Sequence, residues 1–188
     1  MLISTNHRFA TSQHFIMSIN QSRKNFKDLW EEKRKVLSDN PDKSAVTVKA
    51  SSRLVEGFLS EVKARDFTIF VDQNKGMGGF DRGPRPSEYV LAALAACHEV
   101  TYRLYADAMD IPLEEVSVSV TGYSDAKGFF DLDDNARAGF SHIRGQINIK
   151  SSASDDDLNR LKLAVNRHCP VLDDLKSPVD VELDLVRQ

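Results

Sequence analysis

"GPRPSEYVLAALAACHEVTYRLY", residues 83–105, is the stretch on which the fold turns. Pro84 and Pro86 bracket Arg85 and then stop, and Pro86 suits a first helical turn, where a missing N–H costs nothing. The run that follows predicts a helix over 86–109. From Tyr89 to Cys97 it is apolar nearly all round, which marks a helix buried on most sides. Ala92, Ala93, Ala95 and Ala96 let another backbone come close. Past Cys97 the pattern turns amphipathic, with Arg103, Asp107 and Asp110 expected outward. The cysteine in the middle poses the chemical question: Cys97 fills space as a small hydrophobe, or it works as a thiolate.

On the N-terminal side, "NKGMGGFDRGPRP", residues 74–86, is a glycine-rich loop between a strand and a helix. Its spacing fits neither G-x-G-x-x-G nor a P-loop. Pro84 and Pro86 also remove donors that a phosphate would need. Residues 44–73, "SAVTVKASSRLVEGFLSEVKARDFTIFVDQ", alternate and are rich in β-branched and aromatic residues, which predicts two or three antiparallel strands. Residues 22–38 read as a helix with Phe26, Leu29, Trp30, Val36 and Leu37 on one face. Such an amphipathic arm packs on the main body or on a partner subunit. Pro41 ends it by forcing Asn40 out of the α region. Residues 1–16 show no periodicity and are expected to be disordered, with Met17 a candidate start.

On the C-terminal side, a strand is predicted from about Val116, then a polar loop, "DAKGFFDLDDNARAG", holding two aromatics, then the strand "FSHIRGQINIKS". A second helix starts at Ser154, whose hydroxyl caps it while Asp155, Asp156 and Asp157 meet the helix dipole. Leu158, Leu161 and Val165 form its buried stripe, and Pro170 ends it with Cys169 at the terminus. "PVDVELDL" reads as a closing strand with Val179, Val181, Leu183 and Leu185 on one face. The expected organisation is disorder over 1–16, a helical arm over 17–43 and one α+β domain over 44–188.

The 188 residues are 41% hydrophobic and 28% charged, enough for one domain with a continuous core. A net charge of −3 leaves no basic excess for phosphates, which excludes an electrostatic nucleic-acid binder. No apolar run approaches the roughly 18 residues of a membrane span. The apolar stretches in residues 1–20 are far shorter than the roughly 7–15 residues of a signal segment. The expected compartment is therefore the cytoplasm, where two cysteines are free thiols or a cycling pair.

His98 follows Cys97 and His168 precedes Cys169. Neighbours on a helix point about 100° apart, so His98 is poorly placed to activate Cys97. Zinc ligands are usually spaced C-x₂₋₄-C or H-x₃₋₅-H rather than side by side. A hydrolase pairing Cys97 with His168 lacks any flanking signature of that class. From the residues alone, each cysteine remains either packing or chemistry.

"GPRPSEYVLAALAACHEVTYRLYADAMDIPLEEVSVSVTG", followed some fifty residues on by "LAVNRHCPVLDDLKSPVDVEL", resembles the OsmC/organic hydroperoxide resistance family. The likeness runs from about Ser44 to Leu185. It rests on the Gly-Pro-x-Pro-x-Glu loop, the alanine-rich helix carrying Cys97, and His-Cys-Pro-Val at the end of the second long helix. The arm and the loop "GFFDLDDNARAGFSHI" resemble a longer branch of that family.

The resemblance implies an intertwined homodimer, with antiparallel sheets wrapped around long central helices and active sites at the subunit interface. It implies a stress-response thiol peroxidase in which Cys97 is peroxidatic and Cys169 resolving. A hydroperoxide oxidises Cys97 to a sulfenic acid, Cys169 condenses with it to a disulfide, and a dithiol restores both. No metal, flavin or haem cofactor is implied. In organic hydroperoxide resistance proteins an arginine from the first hairpin and a glutamate after the loop proline orient the thiolate. Glu88 stands one position later than that glutamate. Arg65 is the preferred arginine, with Arg53 and Arg82 as alternatives. Two rival functions remain: a small-ligand-binding or stress protein on the same scaffold, and a cysteine hydrolase or acyltransferase.

Overall fold

The computed structural model describes residues 26–177 and 179–187. The expectations of disorder over 1–16, of a start at Met17 and of helix over 22–25 lie outside them. Helix α1 (Lys27–Asp39) is closed by Asn40, whose backbone N–H and side-chain amide both donate to the Val36 carbonyl at 3.0 Å. Pro41 then starts a single tight turn. Three strands follow, β1 (Ser51–Glu56), β2 (Leu59–Ala64) and β3 (Phe67–Val71), paired antiparallel in chain order. The long helix α2 (Pro86–Ala108) has Pro86 in its first turn. It leads through Ile111 and Leu113 into β4 (Glu115–Tyr123). After a short helix α3 (Ala126–Phe129), β5 (His142–Lys150) pairs antiparallel with β4 along its whole length. Helix α4 (Asp155–His168) and helix α5 (Pro170–Lys176) complete the described elements.

The core lies where α2, α4 and the β4–β5 hairpin meet. Tyr102 and Ala106 from α2, Ile111 and Leu113 from the connector, and Leu161 and Val165 from α4 are all buried. Leu161 and Val165, four residues apart, fall on one face of α4. Half-buried Val116, Ile147 and Ile149 close the cluster from the sheet. Along β4, exposed and half-buried residues alternate strictly, the period of a strand with one covered face. Ser154 caps α4 by accepting from the Asp157 N–H at 3.1 Å, with Asp155, Asp156 and Asp157 in its first turn. The arm helix α1 lies against the C-terminal half of α2. The Phe26 N–H donates to Asp107 at 3.0 Å, and Lys27 pairs with Asp110.

Several expectations need correction. Among the described residues no strand forms before Ser51, and Val46 and Val48 are exposed. The closing strand over 178–185 is absent among the described residues. Val179, Val181, Leu183 and Leu185 all stand in solvent, Leu183 at 91% exposure. Alternation makes a strand only when a partner strand receives it, and among the described residues this segment pairs with none. Pro170 stops α4 as expected but also opens α5, because proline is favoured in a first turn. Arg103 and Asp107 are not outward: they pair with each other, and Arg103 also donates to the Leu113 carbonyl at 2.7 Å. Helix α2 is not covered on most sides, since Val90, Ala92, Ala93, Ala96 and Val100 are exposed.

Candidate active site

Asp72 ends β3 and folds the glycine-rich loop. Its buried carboxylate accepts from the backbone N–H of Gln73 at 2.8 Å and of Phe80 and Arg82 at 3.1 Å each. Burial disfavours the charge, but these three bonds together hold its pKa below the ordinary range. A Cβ at Gly79 or Gly83 would collide with the carbonyls of Gln73 or Phe70, so glycine is required at both. The loop delivers Arg85 to the start of α2. There the Arg85 N–H donates to Glu88 Oε2 at 2.8 Å, and the guanidinium reaches Oε1 at 2.7 and 3.1 Å. The side-chain bond to Arg85 holds the Glu88 carboxyl below its ordinary value.

Two turns and more along α2, Cys97 and Cys169 meet. Their Sγ atoms are 3.4 Å apart, with Cys97 half-buried and Cys169 fully buried. Cys169 sits between α4 and α5, at the break that Pro170 makes. The buried His98 ring brings Nδ1 to 3.2 Å from Cys169 Sγ. Burial pushes the Cys169 thiol up, and the Cys97 sulfur adds to that. The Leu172 N–H and the Thr101 hydroxyl pull the other way. Burial likewise holds the His98 imidazole below its ordinary value, against the Asn166 side chain. Thr101 itself donates to the Cys97 carbonyl at 2.7 Å.

The other residues singled out in the sequence lie elsewhere in the chain. Arg65 occupies the β2–β3 turn at φ 54° with its guanidinium over the Phe67 ring, 5.1 Å from the centroid. Arg53 pairs with Glu61 across β1 and β2 at 3.2 Å, and Arg82 lies over Phe80 in the loop. Glu88 is nine residues from Cys97, or about 13 Å along a helix. Among the described residues, no arginine or lysine bonds to either sulfur. His168 stacks on Tyr105, with ring centroids 5.1 Å apart. No cluster of three or more His, Cys, Asp or Glu among the described residues could hold a metal ion.

Sequence reasoning missed two residues and one contact here. Asp72 and Arg85 were legible in principle: an Asp at the end of a strand before a glycine-rich loop, and a residue three before Glu88 at a helix start. The meeting of His98 with Cys169, rather than with Cys97, had no signal in the text.

A cavity of about 620 Å³, lined by neither cysteine, lies between α2, the β4–β5 hairpin, α4 and α5. Leu94, Val118, Ile147 and Leu172 line it with His98 and Asn166, and Arg137 and Lys176 also border it.

The OsmC-like protein family matches this sequence over residues 79–184, more than half of the chain and including both cysteines. The chain belongs to the OsmC-like family. Solved structures agree on the fold. An OsmC-like protein from Mycoplasma pneumoniae superposes with a TM-score of 0.63 at 22% identity, covering 71% of this chain and 89% of its own. An organic hydroperoxide resistance protein OsmC from Legionella pneumophila, also described as a predicted redox protein and regulator of sulfide bond formation, gives 0.56 at 21%, covering 74% and 96%. A putative organic hydroperoxide resistance protein from Vibrio cholerae, with captopril bound in one of its active sites, gives 0.53 at 18%, covering 73% and 90%. Among curated proteins, none matches this OsmC-like sequence. As an OsmC-like chain it combines long helices with antiparallel sheets, and no described helix is long and apolar enough to cross a membrane.

Proposed function

We propose that this OsmC-like chain is a thiol-dependent hydroperoxide reductase acting as a homodimer. The observation that carries this reading is the 3.4 Å separation of Cys97 and Cys169. Cys97, the more exposed sulfur, attacks the distal oxygen of a hydroperoxide as a thiolate; the O–O bond breaks, alcohol leaves, and a sulfenic acid remains. Cys169, buried and kept protonated, stays out of that step and then condenses with the sulfenic acid, releasing water. A dithiol reverses the disulfide by exchange, and a reducing cytoplasm is the compartment that supplies one.

The second copy completes the site. The β1–β3 sheet packs on none of the described helices beyond isolated contacts, and exposes Leu54, Phe58, Phe67 and Phe70. The outer face of α2 and the alternating segment 179–185 are likewise uncovered. Apolar area of that extent favours an interface. Glu88 lies about 13 Å along α2 from its own Cys97 and Arg65 is held over Phe67, so we assign both to the thiolate across the interface. Arg85, already paired with Glu88, joins them.

A stoichiometric hydroperoxide pulse tests the reading by intact mass. The wild type is expected to lose two hydrogens; a wild-type mass that does not move ends the proposal. The cavity of about 620 Å³ supports the alternative of a small-ligand-binding protein. That alternative requires ligand binding that survives Cys97→Ser, with no peroxide consumed.

A further inference from the structure

Resolution of a sulfenic acid needs a proton removed from a thiol that burial keeps protonated, and the fold has put a base on that thiol. We propose that His98 Nδ1 is the general base that deprotonates Cys169 as it closes the disulfide. This deepens the hydroperoxide reductase reading and rests on it for the natural reaction. His98 Nδ1 is 3.2 Å from Cys169 Sγ, and the Cys97 sulfur is 3.4 Å from the same atom. One S–H proton therefore has two acceptors in reach, and only the imidazole can carry it away. His98 and Cys169 are both buried, so bulk water does not stand in for a base.

The step balances. Cys169 Sγ forms the S–S bond with its own electron pair while the S–O bond of Cys97 sulfenic acid breaks. The proton passes from Sγ to Nδ1, and the hydroxyl departs as water when the imidazolium returns a proton. In the reducing direction the same imidazolium protonates the Cys169 sulfur as it leaves.

The setting suits a neutral imidazole ready to accept. The Tyr102 ring lies tilted 6.2 Å from it on α2, and Asn166 of α4 bonds to its side chain. Arg137, His142 and Lys176 border the same cavity from the α3–β5 loop, β5 and α5. Burial disfavours a charged His98.

A peroxide-free assay separates this inference from the reading beneath it. Cys97 is loaded with an aromatic disulfide reagent, 5,5′-dithiobis(2-nitrobenzoate), and release of the yellow thiolate by Cys169 is followed in a stopped flow. The arylthiolate leaves with the electron pair of the broken bond, and the proton goes to His98. In the wild type, release is expected to be flat with pH between the His98 and Cys169 titrations. A rate climbing tenfold per pH unit to the Cys169 titration would overturn the inference without any variant. His98→Gln is expected to slow release by about 100-fold, with free imidazole restoring part of it. Release at the wild-type rate in a folded His98→Gln protein would also overturn it. If peroxide fails to oxidise the wild type while release still depends on His98, the peroxidase reading falls and the base assignment stands. If peroxide closes the disulfide equally fast in His98→Gln, the assignment falls and the peroxidase reading stands.

Discussion

Cys169 and Cys97 are separated by 72 residues of chain, yet their sulfur atoms lie 3.4 Å apart, one half-exposed and the other fully buried. That asymmetry assigns different jobs to two chemically identical groups, and consequences follow for each.

Removing the buried sulfur leaves the exposed one without a partner. Cys169→Ser is expected to accumulate Cys97 as sulfinic and sulfonic acid after excess hydroperoxide, seen as mass gains of about 32 and 48 Da. Cys97→Ser is expected to consume no peroxide, a loss of turnover to background. A Cys97→Ser protein that keeps turning over would show that the other cysteine, or none, is the nucleophile.

Stability should carry the mark of two buried titrating groups, His98 and Cys169. Burial places the folded pKa of His98 below its ordinary 6.5, so its contribution is present above that pH and is lost as pH falls through the folded value. Cys169 is shifted the other way, raised from 9.0; its contribution is present below that pH and is lost as pH rises through the folded value. Urea midpoints measured from about pH 5 to about pH 10 are expected to peak between the two and fall on both sides. Cys169→Ala should flatten the alkaline fall alone; an unchanged alkaline limb would show that Cys169 is not its source.

Leu161 is fully buried among Tyr102, Ala106, Ile111, Leu113 and Val165. Leu161→Ala removes three carbons from that cluster and is expected to cost about 2–5 kcal/mol in denaturant unfolding. A loss below about 1 kcal/mol would mean that the cluster is not the stability core.

The uncovered segment 179–187 offers a test of assembly. Light scattering is expected to give twice the chain mass for the full protein, and truncation before Val179 should weaken the dimer, making its mass fall on dilution. A full-length protein that stays monomeric at every concentration would remove the second copy from the proposed site.

The elements that were legible in the text share a local cause. Pro86, the alanine run and the Ser154 cap specify helices through interactions within a few residues, and the α+β class follows from their alternation with strands. The misread elements depend on something distant. The 178–185 pattern is sound strand chemistry that pairs with no described strand of its own chain, and Pro170 reads equally as a stop and as a start. Both cysteines were named from the sequence, because their neighbours are distinctive.

What the chain alone determined, then, is which residue types stand at helix starts and ends, and that two thiols occupy marked positions. Only the tertiary structure decided that these thiols touch and that His98 turns to Cys169 rather than to Cys97. The reason is physical. Capping and turn preferences act over three or four residues and are written in order along the chain, whereas a contact across 71 or 72 residues depends on how whole helices pack, which no local spacing encodes.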